Sequence, residues 1–111
     1  FVQNGDTFLW AILGQHGKGY YQKEILNSVY RKHTGGVWSH SSRLNKLKAS
    51  YNTYFSIYKF VEQQYKKEVL RKALGRSLQI SKTYFPSNLY NSCYWLLIFF
   101  NHLFSYIRLS V

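Results

Sequence analysis

The chain is short of acids, cysteine, proline and methionine. Among its 111 residues only Asp6, Glu24, Glu62 and Glu68 are acidic. No two are spaced to share one helix face, so a carboxylate pair for general acid–base work is not expected. Cys93 is the single cysteine. It excludes an intramolecular disulfide, suits a reducing compartment and, within its apolar run, reads as a buried, inert thiol. The four histidines, His16, His33, His40 and His102, have no second ligand type nearby, and Cys93 has no adjacent base. The chain is therefore not expected to be an enzyme, and no catalytic residue, metal ligand, cofactor or small-molecule substrate is assigned. One proline, 46% hydrophobic and 20% aromatic residues argue against disorder. No Met occurs, even at position 1, which leaves the start of translation open. No basic region precedes the first apolar stretch, so a secretory signal is not expected.

What the chain has in excess is positive charge: fifteen Lys and Arg, for a net +11. Residues 18–82 hold fourteen of those cations and three of the acids, and so carry the whole excess. Self-repulsion on that scale disfavours a compact free chain and points to a polyanionic partner. A charged middle between two apolar ends is the most informative pattern in the sequence. The size fits one domain, residues 1–111, ordered within an assembly. The bias to Tyr, Phe, Asn, Lys and Ile suits an AT-rich gene, as in many mitochondrial genomes.

The periodicities predict an α+β fold, mostly helical. TFLWAIL, residues 7–13, is a short apolar segment ending at Gly14, and GQHGKG follows as a flexible basic loop. Ile25, Leu26, Val29 and Tyr30 predict a helix over 22–33, stopped by Thr34, Gly35 and Gly36. Residues 35–42 read as a loop in which Ser39, Ser41 and Ser42 are possible N-caps. Leu44, Leu47, Tyr51, Tyr54, Tyr58, Val61 and Tyr65 then predict one long basic helix over about 42–74, roughly 50 Å long. A kink near Asn52 and Thr53 or an extended reach is expected, with Gly75 ending the helix. Leu78, Ile80 and Tyr84 alternate with Gln79, Ser81 and Thr83, which suggests a strand, and residues 85–88 read as a turn. The remainder is ambiguous between a strand pair and a single apolar helix. Residues 83–107 lack any charge, long enough to span a bilayer, yet the unbroken apolar run is only 93–100.

Phosphate binding is the chemistry this pattern supports, because Lys and Arg release condensed counterions without reading bases. The expected RNA contacts are Lys18, Lys23, Arg31, Lys32, Arg43, Lys46, Lys48, Lys59, Lys66, Lys67, Arg71, Lys72, Arg76 and Lys82. A solvated basic face is the bland alternative, weakened by the scarcity of acids; Glu62 with Lys66 and Glu68 with Lys72 read as helical ion pairs. Tyr20, Tyr21, Trp38, Tyr51 and Tyr54 lie beside cations; most read as core, and Trp38 is the leading candidate to stack on an unpaired base. GQHGKG is no Walker loop: Ile12 stands where its first glycine would be, and no Ser or Thr follows the Lys.

ILGQHGKGYYQKEI resembles the GxxG signature of KH domains, with Gly14, Gln15, His16 and Gly17 as the loop. The segment 54–100 resembles the third small-subunit ribosomal protein in its divergent mitochondrial form. Gly14 with Gln15, Arg31 with Trp38, YKKEVLRKAL (65–74), LQIS (78–81) and SNLYNSCYWLLIFF (87–100) fall in that family's order. This second alignment places the family's loop after Phe100, so the two are alternatives. Either implies a KH-type domain on ribosomal RNA. The expected function is a structural constituent of a mitochondrial ribosome in the matrix. The basic middle binds ribosomal RNA phosphates, and the apolar ends pack on each other or on neighbouring ribosomal proteins. The alternatives are an accessory subunit of a mitochondrial inner-membrane complex, with 83–107 membrane-embedded, and a free cationic nucleic-acid-binding module.

Overall fold

A computed structural model describes residues 4–26 and 36–109; the side chains of Val37 and Trp38 lie outside that description. Five helices follow in order: α1 (Gly5–Leu13), α2 (Val37–His40), α3 (Arg43–Phe60), α4 (Gln63–Tyr84) and α5 (Leu89–Arg108). Among the described residues there is no strand, so the fold is all-α and the expected strand pair is absent. The KH-type fold implied by the resemblance, which needs strands, is corrected with it. The C-terminal segment takes the other form expected of it, a single apolar helix. Of the helix predicted over 22–33, residues 22–26 are not helical, with a turn at 23–24, and the remainder lies outside the described residues.

The strand prediction failed at 78–84 because the core there is built from small hydroxylated residues. Ala73, Leu74, Ser77, Ile80 and Ser81 are all buried along one stripe of α4. Ser77 and Ser81 hide the helical period from any reading of hydrophobicity. Ser77 Oγ donates to the Leu74 carbonyl at 2.9 Å, and Ser81 Oγ donates across to the Ser92 carbonyl of α5 at 2.9 Å. Ser92 Oγ returns a bond to the Ser81 carbonyl at 3.2 Å. These small residues let α4 and α5 approach closely with their polar atoms satisfied. Gly75 does not end the helix: it lies on the exposed side of α4, and a Cβ there would meet nothing within 4 Å.

The long helix expected over 42–74 is two helices, broken at Val61 and Glu62 rather than kinked at Asn52 and Thr53. Ser42 is the N-cap of α3, its Oγ accepting from the Asn45 N–H at 3.1 Å. At the break both residues adopt extended backbone, with ψ of 152° and 155°. No Gly or Pro forces this. Tertiary contact does: Val61 is buried, and the Glu62 N–H released by the turn donates to Gln15 Oε1 at 2.6 Å.

α3, α4 and α5 run down, up and down, with α4 central. Tyr51 anchors the aromatic seam between α3 and α5. Its ring meets Trp95 edge-on at 5.0 Å, and its hydroxyl lies 2.7 Å from His102 Nε2. Burial first, and then the neighbouring Tyr94, push the Tyr51 hydroxyl up to about 12, while burial lowers the His102 imidazole from its ordinary 6.5. Both shifts favour a neutral imidazole accepting from a protonated phenol. α1 lies along the second half of α3, pinned by the Asn4 N–H on Thr53 Oγ1 at 3.3 Å and by Phe8 against Phe60. Residues 85–87 form the turn expected there, with a cis Phe85–Pro86 bond, and Asn88 caps α5.

The arrangement is flat, 51 × 44 × 21 Å, with a radius of gyration of 16.7 Å. A compact chain of this length would give about 13 Å. Among the described residues no helix is long and apolar enough to cross a membrane. Cys93, expected to be buried, is exposed on α5.

Candidate nucleic-acid interface

The cations that sequence assigned to phosphate contact are spread over three parts of the fold. Lys18 and Lys23 are exposed in the segment after α1; Arg43, Lys46, Lys48 and Lys59 lie on α3; Lys66, Lys67, Arg71, Lys72, Arg76 and Lys82 lie on α4. Arg31 and Lys32 fall outside the described residues, as does the Trp38 side chain. On α4 the helical period places Arg71, Lys72 and Lys82 on the side opposite the buried stripe of Ala73, Ser77 and Ser81. Gly75 and Gln79 complete that outward ridge.

With so few acids available, aromatic rings take the positions acids would occupy. Lys48 Nζ lies 5.4 Å from the Tyr84 ring centre, Lys59 Nζ 4.9 Å from Phe55, Lys66 Nζ 5.5 Å from Tyr58 and Lys67 Nζ 5.5 Å from Tyr106. Arg108 stands 5.0 Å over Phe104. Such pairs ordinarily occur about once per 70–80 residues, and at exposed sites each contributes roughly 0.5–1 kcal/mol. Their consequence here is electrostatic. A ring quadrupole orients an ammonium group without the opposite charge a carboxylate would bring, so the positive field of the chain survives folding.

Two of the arginines have stronger partners. Arg71 forms a two-point contact with Glu68, Nε to Oε2 at 2.9 Å and the second nitrogen to Oε1 at 2.5 Å. Lys72 shares that carboxylate at 3.9 Å, so the expected pair of Glu68 with Lys72 forms. The Arg71 contact lowers the Glu68 carboxyl, chiefly by its hydrogen bond. Glu62 does not pair with Lys66; its Oε2 accepts instead from Gln64 Nε2 at 2.9 Å. Arg76 is half-buried, its Nε donating to Ser50 Oγ at 3.1 Å and a terminal nitrogen to Gln79 Oε1 at 2.9 Å. It joins α3 to α4, a structural role that a tally of cations could not reveal.

Of the tyrosines beside cations, Tyr51 is buried and Tyr54 half-buried, whereas Tyr20 and Tyr21 are 88% and 75% exposed. The glycine loop is held by Gln15, whose Nε2 donates to the Ile12 carbonyl at 3.3 Å while its Oε1 accepts from Glu62. The loop and Trp10 together line an open depression of about 290 Å³ with His16 and Lys18 at its edge. Sequence reasoning passed over Trp10 because it sits in an apolar run. Its place one turn before Gly14 puts it near the loop in sequence, but only the fold shows that the two line one depression. Among the described residues no three His, Cys, Asp or Glu side chains come together. No family model, curated protein or solved structure matches the chain.

Proposed function

We propose that this chain is a structural RNA-binding subunit of a ribonucleoprotein, the mitochondrial ribosome being the setting its sequence resemblance implies. The observation that carries the reading is the replacement of acids by rings. Lys48, Lys59, Lys66 and Lys67 are positioned over aromatic faces rather than against carboxylates. A folded domain that retains +11 lowers its free energy most by meeting a polyanion of comparable charge density. Lys72 and Lys82 on the outward ridge of α4, with Arg43 and Lys59 exposed on α3, meet phosphates through a rigid helical frame. Tyr20, Tyr21 and Trp10 supply exposed rings for unpaired bases, a contact characteristic of RNA loops rather than duplexes.

Replacing Lys67, Lys72 and Lys82 together by Gln tests this. The variant keeps its helical circular dichroism and loses no more than the Lys67 contact with Tyr106, about 1 kcal/mol, and the outer Lys72 contact with Glu68. Its affinity for a structured RNA falls, and the slope of log affinity against log salt flattens by about 0.9 for each phosphate no longer neutralised. An unchanged slope contradicts the assignment of these lysines. Arg76→Gln serves as the contrast, since it acts on stability rather than on slope.

A further inference from the structure

We infer that the free chain forms a symmetric, antiparallel dimer through the outward face of α5. The period of the helix lines up Tyr90, Cys93, Leu97, Phe100, Phe104 and Ile107 on the side turned away from α3 and α4, flanked by Leu89 and Tyr94. The seven large side chains of this set are 53–82% exposed. At roughly 150–250 Å² per aromatic, and less for Leu and Ile, they leave on the order of 700 Å² of apolar surface in one patch about 26 Å long. A free monomer seldom carries so large a patch. It approaches the ~800 Å² per partner that a stable protein interface buries.

Charge and shape both select a second copy. Residues 83–107 carry no charged side chain, so this is the face on which two chains of +11 meet without opposing their cations. Arg108, at its end, is folded over its own Phe104. The stripe is also close to symmetric about its midpoint, near residues 98 and 99. With the two-fold axis there, Leu97 faces Phe100 of the second copy, Tyr90 faces Ile107, and small Cys93 faces large Phe104. Each pairing occurs twice, as an isologous contact requires. The dimer forms without RNA and does not depend on the RNA-binding reading.

Sedimentation of the full chain without RNA tests the inference. A dimer is expected at tens of micromolar, and its fraction rises with salt as repulsion between the two copies is screened. Leu97→Glu is expected to leave a monomer with unchanged helical circular dichroism. Phe104→Cys gives a second readout that does not depend on that variant folding. Its new thiol faces Cys93 of the second copy, so mild oxidation yields a disulfide-linked dimer, while the parent stays unlinked. In the parent the two Cys93 lie roughly 16 Å apart along the axis, beyond the ~7 Å reach of a disulfide. A monomer at every salt concentration overturns the inference, as does a dimer that Leu97→Glu leaves intact. Linkage of the parent through Cys93 as fast as that of Phe104→Cys means parallel pairing and overturns it too. A monomer that partitions into neutral phosphatidylcholine vesicles assigns the face to lipid instead.

Discussion

Gly75→Ala is expected to stabilise the protein, and the sign of that effect decides how α4 is built. Gly75 stands in the thirteenth position of a 22-residue helix, exposed, with right-handed backbone and nothing within 4 Å of where a Cβ would sit. No new contact or clash enters the comparison. What remains is intrinsic: glycine in a helix interior costs about 0.8–1.0 kcal/mol relative to alanine, largely through the freedom it has when unfolded. For a domain of this size, about 1 kcal/mol raises the melting temperature by roughly 4 °C. Thermal melting followed by far-ultraviolet circular dichroism measures it, with urea unfolding as a second estimate. Were Gly75 instead the end of the helix, as the sequence suggested, and left-handed as such ends often are, alanine would destabilise by roughly 1–2 kcal/mol. A lowered or unchanged melting temperature therefore refutes the continuous helix. Gly75→Pro provides the opposite extreme, a loss of about 3 kcal/mol or more.

Burial holds the His102 imidazole below 6.5, so as pH falls the unfolded chain takes up that proton before the folded one. Stability from this group is full above about 6.5 and declines as pH drops through that value toward the lower folded one. Melting temperatures between about pH 8 and 5 should show the decline, and His102→Gln should flatten it. Gln15→Ala removes the partner of the Glu62 N–H and the tie to Ile12. It should cost about 0.5–1 kcal/mol, since water can replace the exposed partner, and make the segment around residues 14–19 the first site of limited proteolysis. Ser81→Leu forces a large side chain between α4 and α5 where Ser92 now approaches. A loss of about 1–3 kcal/mol in urea unfolding is expected, and a neutral result would mean the two helices are not closely packed.

The parts of the fold that were legible in the sequence are those where large apolar residues mark the buried side. The stripe from Leu44 through Tyr58 to Val61 does face inward, and Ser42 does cap α3. Two kinds of feature were not legible. The first is a core face made of serine and alanine: Ser77, Ser81 and Ser92 are buried but read as polar in any periodicity, so a helix passed for a strand. The second is a break with no local cause, at Val61 and Glu62, where a glutamine 47 residues away supplies the hydrogen bond. Charge was visible in full, but its disposition was not. No rule of spacing places Lys66 over Tyr58 or Lys48 over Tyr84, since those pairs cross between helices. Cys93 was misjudged for a related reason. An apolar run identifies a helix well but says little about which of its faces the rest of the chain covers.

If the retained charge serves to hold RNA phosphates, affinity for structured RNA depends steeply on salt, and a salt series measures that dependence. With six to ten phosphate contacts, affinity falls by roughly 10³- to 10⁵-fold between about 50 and 200 mM salt. A loss of that size supports phosphate clamping by the basic residues of α3 and α4. A flat dependence, or no measurable binding at the lower salt, contradicts it.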